Sequence, residues 1–109
     1  MVETRAFVSD AKACMNEEER QQAVEMIAAD PECGVLLQGC GGIRKVRFAI
    51  RGRGKSGGVR IIYFFHTSNM PIFLLTVFAK NEKANLSKNE RNGLAKIAAW
   101  IAANYGVKQ

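Results

Sequence analysis

Between residue 33 and residue 81 the chain has no aspartate or glutamate, a run of 49 residues without a carboxylate. The same stretch holds eight cations: Arg44, Lys45, Arg47, Arg51, Arg53, Lys55, Arg60 and Lys80. These charges have no local counterions, so the segment presents a positive field suited to a polyanion, and nucleic acid is the leading candidate. Other shortages narrow the reading further. There is one histidine, His66, so a ribonuclease couple built on two histidines is excluded. Cys14, Cys33 and Cys40 are odd in number and lack C-x-x-C spacing, which argues against a disulfide framework or a zinc site and for reduced thiols. No apolar run approaches the roughly 18 to 20 residues needed to cross a bilayer. Met1-Val-Glu-Thr-Arg lacks the basic-then-apolar plan of a secretion signal, and a cytoplasmic protein without membrane contact is expected.

What is present suits one globular domain, residues 1–109, with 48% apolar and 24% charged residues. Charge is segregated along it: residues 1–32 hold three basic and eight acidic groups, and residues 82–109 hold five basic and two acidic ones. Val2 to Val8 reads as a first strand, and Ser9-Asp10 as the cap of a short helix reaching about Met15. Asn16 with Glu19 has capping-box spacing and opens a second helix, with Ala23, Val24, Ile27 and Ala28 as its buried stripe, stopped at Asp30-Pro31. From Ile43 the period changes to two, so Lys45 and Arg47 project from the face opposite Val46 and Phe48. A glycine-rich turn, Gly52 to Gly58, leads into the apolar run Val59–His66, which suits a central strand, and Ile72–Ala79 forms the next one. Ser87 with Glu90 caps a last helix in which Leu94, Ile97, Ala98, Ile101 and Tyr105 line one face, with Gly106 placed to end it. The fold class is α+β: an antiparallel sheet with an N-terminal helical hairpin and a C-terminal helix.

Ala49-Ile-Arg-Gly-Arg-Gly-Lys55-Ser56 matches a permissive phosphate-binding loop, but such a loop runs from a strand into a helix, and here a strand-like run follows. No aspartate occurs after Asp30 to help hold magnesium, so nucleotide hydrolysis is set aside. The glycines instead form a hairpin turn whose Arg51, Arg53 and Lys55 can close over a phosphate backbone. A lone histidine near a strand end is usually structural, and His66 is read so. RNA chemistry would then rest on lysine and arginine: clustered cations favour a neutral amine able to act as a base, and arginines stabilise charge on a pentavalent phosphorus. Lys45, Arg47 and Arg60, with Lys80 one strand further, have this character if the strands pair. Phe78 shares a strand face with Lys80 and can stack a base, the alternative being a core aromatic.

Gly42-Ile-Arg-Lys-Val-Arg-Phe, the turn Gly-Arg-Gly-Lys-Ser-Gly-Gly, Val59-Arg-Ile-Ile-Tyr63 and Phe78-Ala-Lys-Asn-Glu-Lys83 resemble the RelE/ParE superfamily of toxins, most closely its HigB-type branch. The resemblance covers nearly the whole chain and implies a RelE-like domain acting as the toxin of a type II toxin-antitoxin system. It further implies a ribosome-dependent endoribonuclease that inhibits translation, working without metal or cofactor by attack of a 2′-hydroxyl on the adjacent phosphate of messenger RNA. Carried over, the two alternating cations before the turn fall on Lys45, the candidate base, and Arg47. The arginine of the next strand falls on Arg60, and the basic position after the third strand on Lys80. Arg44, Arg51, Arg53, Lys55, Phe78 and Lys83 are the expected RNA contacts. The chain departs from the RelE pattern at Asn81, where RelE has arginine, and at Leu86 and Ser87, where its stacking tyrosine has no counterpart. Lys55, Phe78 or Lys83 are the possible substitutes. The implied partners are the ribosome with its message and a cognate antitoxin of the helix-turn-helix, HigA-like kind, through which operator DNA is reached indirectly. A gyrase inhibitor like ParE and a non-catalytic RNA- or ribosome-binding module are the alternatives.

Overall fold

The computed structural model describes residues 1–50, 58–79 and 85–106. Its strands are β1 (Val2–Glu3), β2 (Val35–Leu36), β3 (Ile43–Phe48), β4 (Val59–Phe64) and β5 (Phe73–Ala79). Its helices are α1 (Arg5–Cys14), α2 (Glu17–Ala29) and α3 (Lys88–Ile101), the last continued by one wider turn over Ala102–Gly106. The strands form one sheet in the order β1-β5-β4-β3-β2. β3, β4 and β5 make the expected antiparallel meander, and β2 adds an antiparallel edge. β1 pairs parallel to β5, Val2 opposite Phe73 and Glu3 opposite Leu74, so the sheet is mixed rather than wholly antiparallel.

The first strand is shorter than its composition predicts, and Thr4 is the reason. Its Oγ1 accepts from the Phe7 amide at 3.2 Å, capping α1, and donates to the Leu74 carbonyl at 2.8 Å, fastening the cap to β5. That local bond offers the backbone an alternative to the ladder. The helix therefore starts five residues before the expected Ser9-Asp10 cap and buries Phe7, Ala11 and Cys14. The two capping boxes fall where the sequence places them, Asn16 with Glu19 and Ser87 with Glu90. In α2, Ala23 and Ile27 are buried and Val24 partly so, while Ala28 is exposed. The buried arc of α2 is thus narrower than its run of apolar residues. Arg20 pairs with Glu17 on its own helix and with Glu3, joining α2 to β1.

Each face of the sheet covers its own apolar layer. α1 and α2 enclose Val59, Ile61, Tyr63, Leu74 and Val77, with Val46 and Phe48 at the margin. On the other face, α3 supplies Leu94, Ala98 and Ile101 against Ile43, Ile62, Phe64, Phe73, Leu75 and Phe78. β4 is buried on both sides, as its unbroken apolar run requires, and each fully buried side chain there contributes about 1.5–3 kcal/mol. Ile97 and Tyr105, expected on the buried face of the last helix, are exposed along with Trp100. The wider turn after Ile101 changes the helical phase, so Tyr105 meets the Phe73 ring edge-on at 5.1 Å without being covered. None of the helices among the described residues is long and apolar enough to cross a membrane.

Candidate functional site

The alternation of β3 divides its cations between the two faces of the sheet. Val46 and Phe48 pack towards the helical hairpin, so Lys45 and Arg47 lie on the α3 side, where Ile43 is buried. Arg47 stands directly opposite Arg60 on β4, and Arg60 stands directly opposite Phe78 on β5. Directly opposed side chains in an antiparallel pair share a face, with Cβ atoms about 4.5–5.5 Å apart. Arg47, Arg60 and Phe78 therefore form one row across three strands. Lys45 sits two residues along β3 on the same face, opposite Ile62.

Arg47 is exposed and Arg60 half-buried, whereas Phe78 is only 5% exposed and belongs to the apolar layer under α3. Stacking a base on Phe78 would require uncovering its ring. Lys45 is half-buried, and its Nζ donates to Asn85 Oδ1 at 3.5 Å. Asn85 comes just before the Ser87 cap, so the start of α3 holds the lysine in place. Nothing in the residue pattern around Asn85 signals that contact.

Arg44 departs from its expected place among the RNA contacts. It lies on the opposite face, beside Tyr63, and its guanidinium donates to the carbonyl of Gly34 at 2.8 Å and of Glu32 at 3.5 Å. Its Nε is buried and has no hydrogen-bond partner among the described residues. The group holds the loop between α2 and β2 and is turned away from the row. Tyr63 is the other anchor of that loop: it is fully buried, donates to the Pro31 carbonyl at 2.7 Å and accepts from the Gly34 amide at 2.9 Å. Burial drives its phenol well above the usual value, so it stays neutral and keeps donating. A side chain at Gly34 would bring a Cβ to 2.8 Å from the Tyr63 hydroxyl, so the close approach needs glycine.

Arg51, Arg53 and Lys55 on the turn, and Lys80 and Lys83 after β5, lie outside the described residues, as does Asn81. The turn nonetheless joins two antiparallel neighbours, β3 and β4, rather than a strand and a helix, which removes the context a phosphate-binding loop of a nucleotide hydrolase needs. Its exit is fixed by Gly58 at φ +65°, where any Cβ would collide with the Phe48 carbonyl. His66 is exposed on the loop after β4, with its ring stacked 6.2 Å from that of Phe64. Among the described residues no group of three or more His, Cys, Asp or Glu side chains is arranged to hold a metal ion. All three cysteines are free thiols.

Fold and site together define a small basic α+β domain whose sheet is packed by a helical hairpin on one face and by α3 on the other, with Lys45, Arg47 and Arg60 on the α3 face. The model of a known family, the RelE toxin of the RelE/RelB toxin-antitoxin system, matches residues 2–107. The chain belongs to that family: it is the toxin of a toxin-antitoxin pair, and a cognate antitoxin is its partner.

Proposed function

We propose that this toxin is a ribosome-dependent endoribonuclease of the HigB-type branch, which stops translation by cutting messenger RNA at the Lys45, Arg47 and Arg60 face. The observation that supports this most is the direct opposition of Arg47 and Arg60, with Lys45 on the same face. Two guanidinium groups about 5 Å apart at the backbone can engage the non-bridging oxygens of one phosphate, where charge builds as phosphorus becomes five-coordinate. Lys45 takes the proton from the 2′-hydroxyl. The 2′-oxygen then bonds to phosphorus, the bond to the 5′-oxygen breaks, and a cyclic phosphate and a 5′-hydroxyl end result. Lys80 completes the catalytic set, and Lys55 or Lys83 are the other candidates to protonate the leaving oxygen. The reading assigns no role to a metal ion or cofactor. It places the protein in the cytoplasm and gives it a helix-turn-helix antitoxin, through which alone it reaches operator DNA.

Purified protein should cut messages on the ribosome and spare the same RNA when naked. Equal cutting of both would remove the ribosome dependence. DNA-damage signalling with intact messages, seen by primer extension of cellular RNA after induction, would replace the nuclease with a gyrase inhibitor. Full-length message retained in a bound complex would leave a binding module without catalysis.

A further inference from the structure

The last residues of β3 have an open flank, and the loop before β2 explains it. β2 pairs with β3 at Arg44 and Lys45, and the Leu37 amide extends the pairing by donating to the Ile43 carbonyl at 2.9 Å. Past Lys45 the chain leaves the edge. Cys33, the residue that would come opposite Arg47, donates its amide to the Asp30 carbonyl at 2.9 Å instead, while Tyr63 and Arg44 hold Gly34 in the loop. Backbone groups of alternate residues in an antiparallel strand point to opposite neighbours. Ile43 points its carbonyl at β2, so Arg47 points its amide and carbonyl the same way, as does Ala49 just past the strand. Among the described residues no strand meets them there. An unpaired edge of this kind is a template for a further strand.

The two sheet faces meet at this flank. On the hairpin face a groove of about 520 Å³ runs between α2 and the edge, lined by Glu19, Gln22, Met26, Arg47, Phe48 and Ala49. Met26 and Phe48 are half-buried in it and give it an apolar floor. On the α3 face Arg47 is exposed. A strand laid along the flank sends alternate side chains to the two faces, so one of them enters the groove beside Phe48 and its neighbour stands opposite Arg47. The first position suits an apolar side chain and the second a carboxylate. Residues 33–81 contain no carboxylate of their own, so that counterion comes from another molecule. A second copy of the chain is a poor source. Its sheet edges are β1, whose Glu3 is paired with Arg20, and β2, which is uncharged. An RNA strand offers no ladder of amides and carbonyls, and Glu19 at the groove wall repels its phosphates. The antitoxin, the partner that the family assigns, is a polypeptide able to supply both the ladder and the charge.

We propose that the cognate antitoxin docks an extended segment as a further strand beside Arg47 and Ala49, with an acidic side chain on Arg47 and the adjacent apolar one in the α2/β3 groove. The docking follows from the edge alone; only its consequence, that Arg47 is withdrawn from a phosphate, rests on the RNA-cleaving reading above. Amide exchange by NMR on the full-length toxin, free and bound to its co-expressed antitoxin, tests it. In the free protein the Val46 and Phe48 amides, which face β4, should be protected and the Arg47 amide should not. In the complex, exchange at Arg47 and Ala49 should slow about 100-fold or more, with cross-strand contacts to consecutive antitoxin residues. Unchanged exchange at both, or protection without those contacts, overturns the strand. Arg47→Glu should weaken the complex about 10-fold or more, and exchanging the opposing antitoxin carboxylate for lysine should restore most of the loss; failure of that rescue overturns the ion pair. Met26→Glu should also weaken binding about 10-fold or more while the toxin alone still arrests growth, and undiminished affinity would take the groove out of the interface. Protected amides in a toxin that cuts no message would defeat the nuclease reading and leave the docking standing, whereas message cutting with an unprotected edge would do the reverse.

Discussion

Arg44 and Arg47 are three residues apart on one strand, and the two faces of the sheet give them opposite employment. On the hairpin face, Arg44 and Tyr63 are enclosed and spend their hydrogen bonds on the carbonyls of Pro31, Glu32 and Gly34. On the other face, Arg47 is exposed opposite Arg60 at the end of the layer that α3 covers. The side of β3 thus separates the two arginines: Arg44 is tied to loop carbonyls and Arg47 is exposed. The parity of each position decides that, and the overall positive charge does not.

If the contrast is sound, variants on the two faces should separate cleanly into losses of activity and losses of stability. The largest effect is expected from Arg60→Ala. Message cutting should fall about 100-fold or more, as when one transition-state donor is removed, with a melting temperature close to that of the parent protein. Retained growth arrest in cells would take Arg60 out of the site. Tyr63→Phe should do the opposite, lowering stability by about 1–3 kcal/mol in denaturant titrations while activity per folded molecule holds. Its pH signature has a definite sign. Burial raises the folded-state phenol above the value near 10 that it has when unfolded, so its contribution is complete below about pH 10 and is lost as the pH climbs beyond it. The phenylalanine variant should lose less stability over that alkaline range, and an identical decline in both proteins would contradict the buried-phenol account. Arg44→Ala should cost about 1–2 kcal/mol, a lowering of roughly 4–8 °C per kcal/mol, again without a specific loss of cutting. The smallest effect belongs to salt. Arg47→Ala should reduce the slope of log affinity for the programmed ribosome against log salt by about one, and Arg44→Ala should leave that slope alone.

Much of this division is legible in the sequence. The alternation of Ile43 to Phe48 set Lys45 and Arg47 on one side, and the two capping boxes located α2 and α3 because each is a local reciprocal bond between residues three apart. What escaped the sequence depended on distant partners. Thr4 ends β1 by bonding to Leu74, 70 residues away. β2 is two residues long and exposed, too short for any alternation to register. Arg44 looked like its neighbours because the loop carbonyls that claim its guanidinium are fixed by Tyr63, a residue whose own position depends on the whole sheet. Phe78 was balanced between base platform and core, and it is 5% exposed in the layer under α3. Of the other expected contacts, Arg51, Arg53, Lys55, Lys80 and Lys83 fall outside the described residues, so Lys45, Arg47 and Arg60 carry the structural case.

The parallel pairing of Val2 and Glu3 with Phe73 and Leu74 has a consequence for how the chain is born. Val2 and Glu3 must wait for about 70 further residues to be made before their place in the sheet exists. β4, which carries Arg60, likewise has a solvent-facing flank until β5 emerges to cover it. Folding that depends on such remote pairings is slow and comes late. A cell making this protein therefore has an interval, set by translation itself, in which the antitoxin can be waiting before the assembled surface first appears.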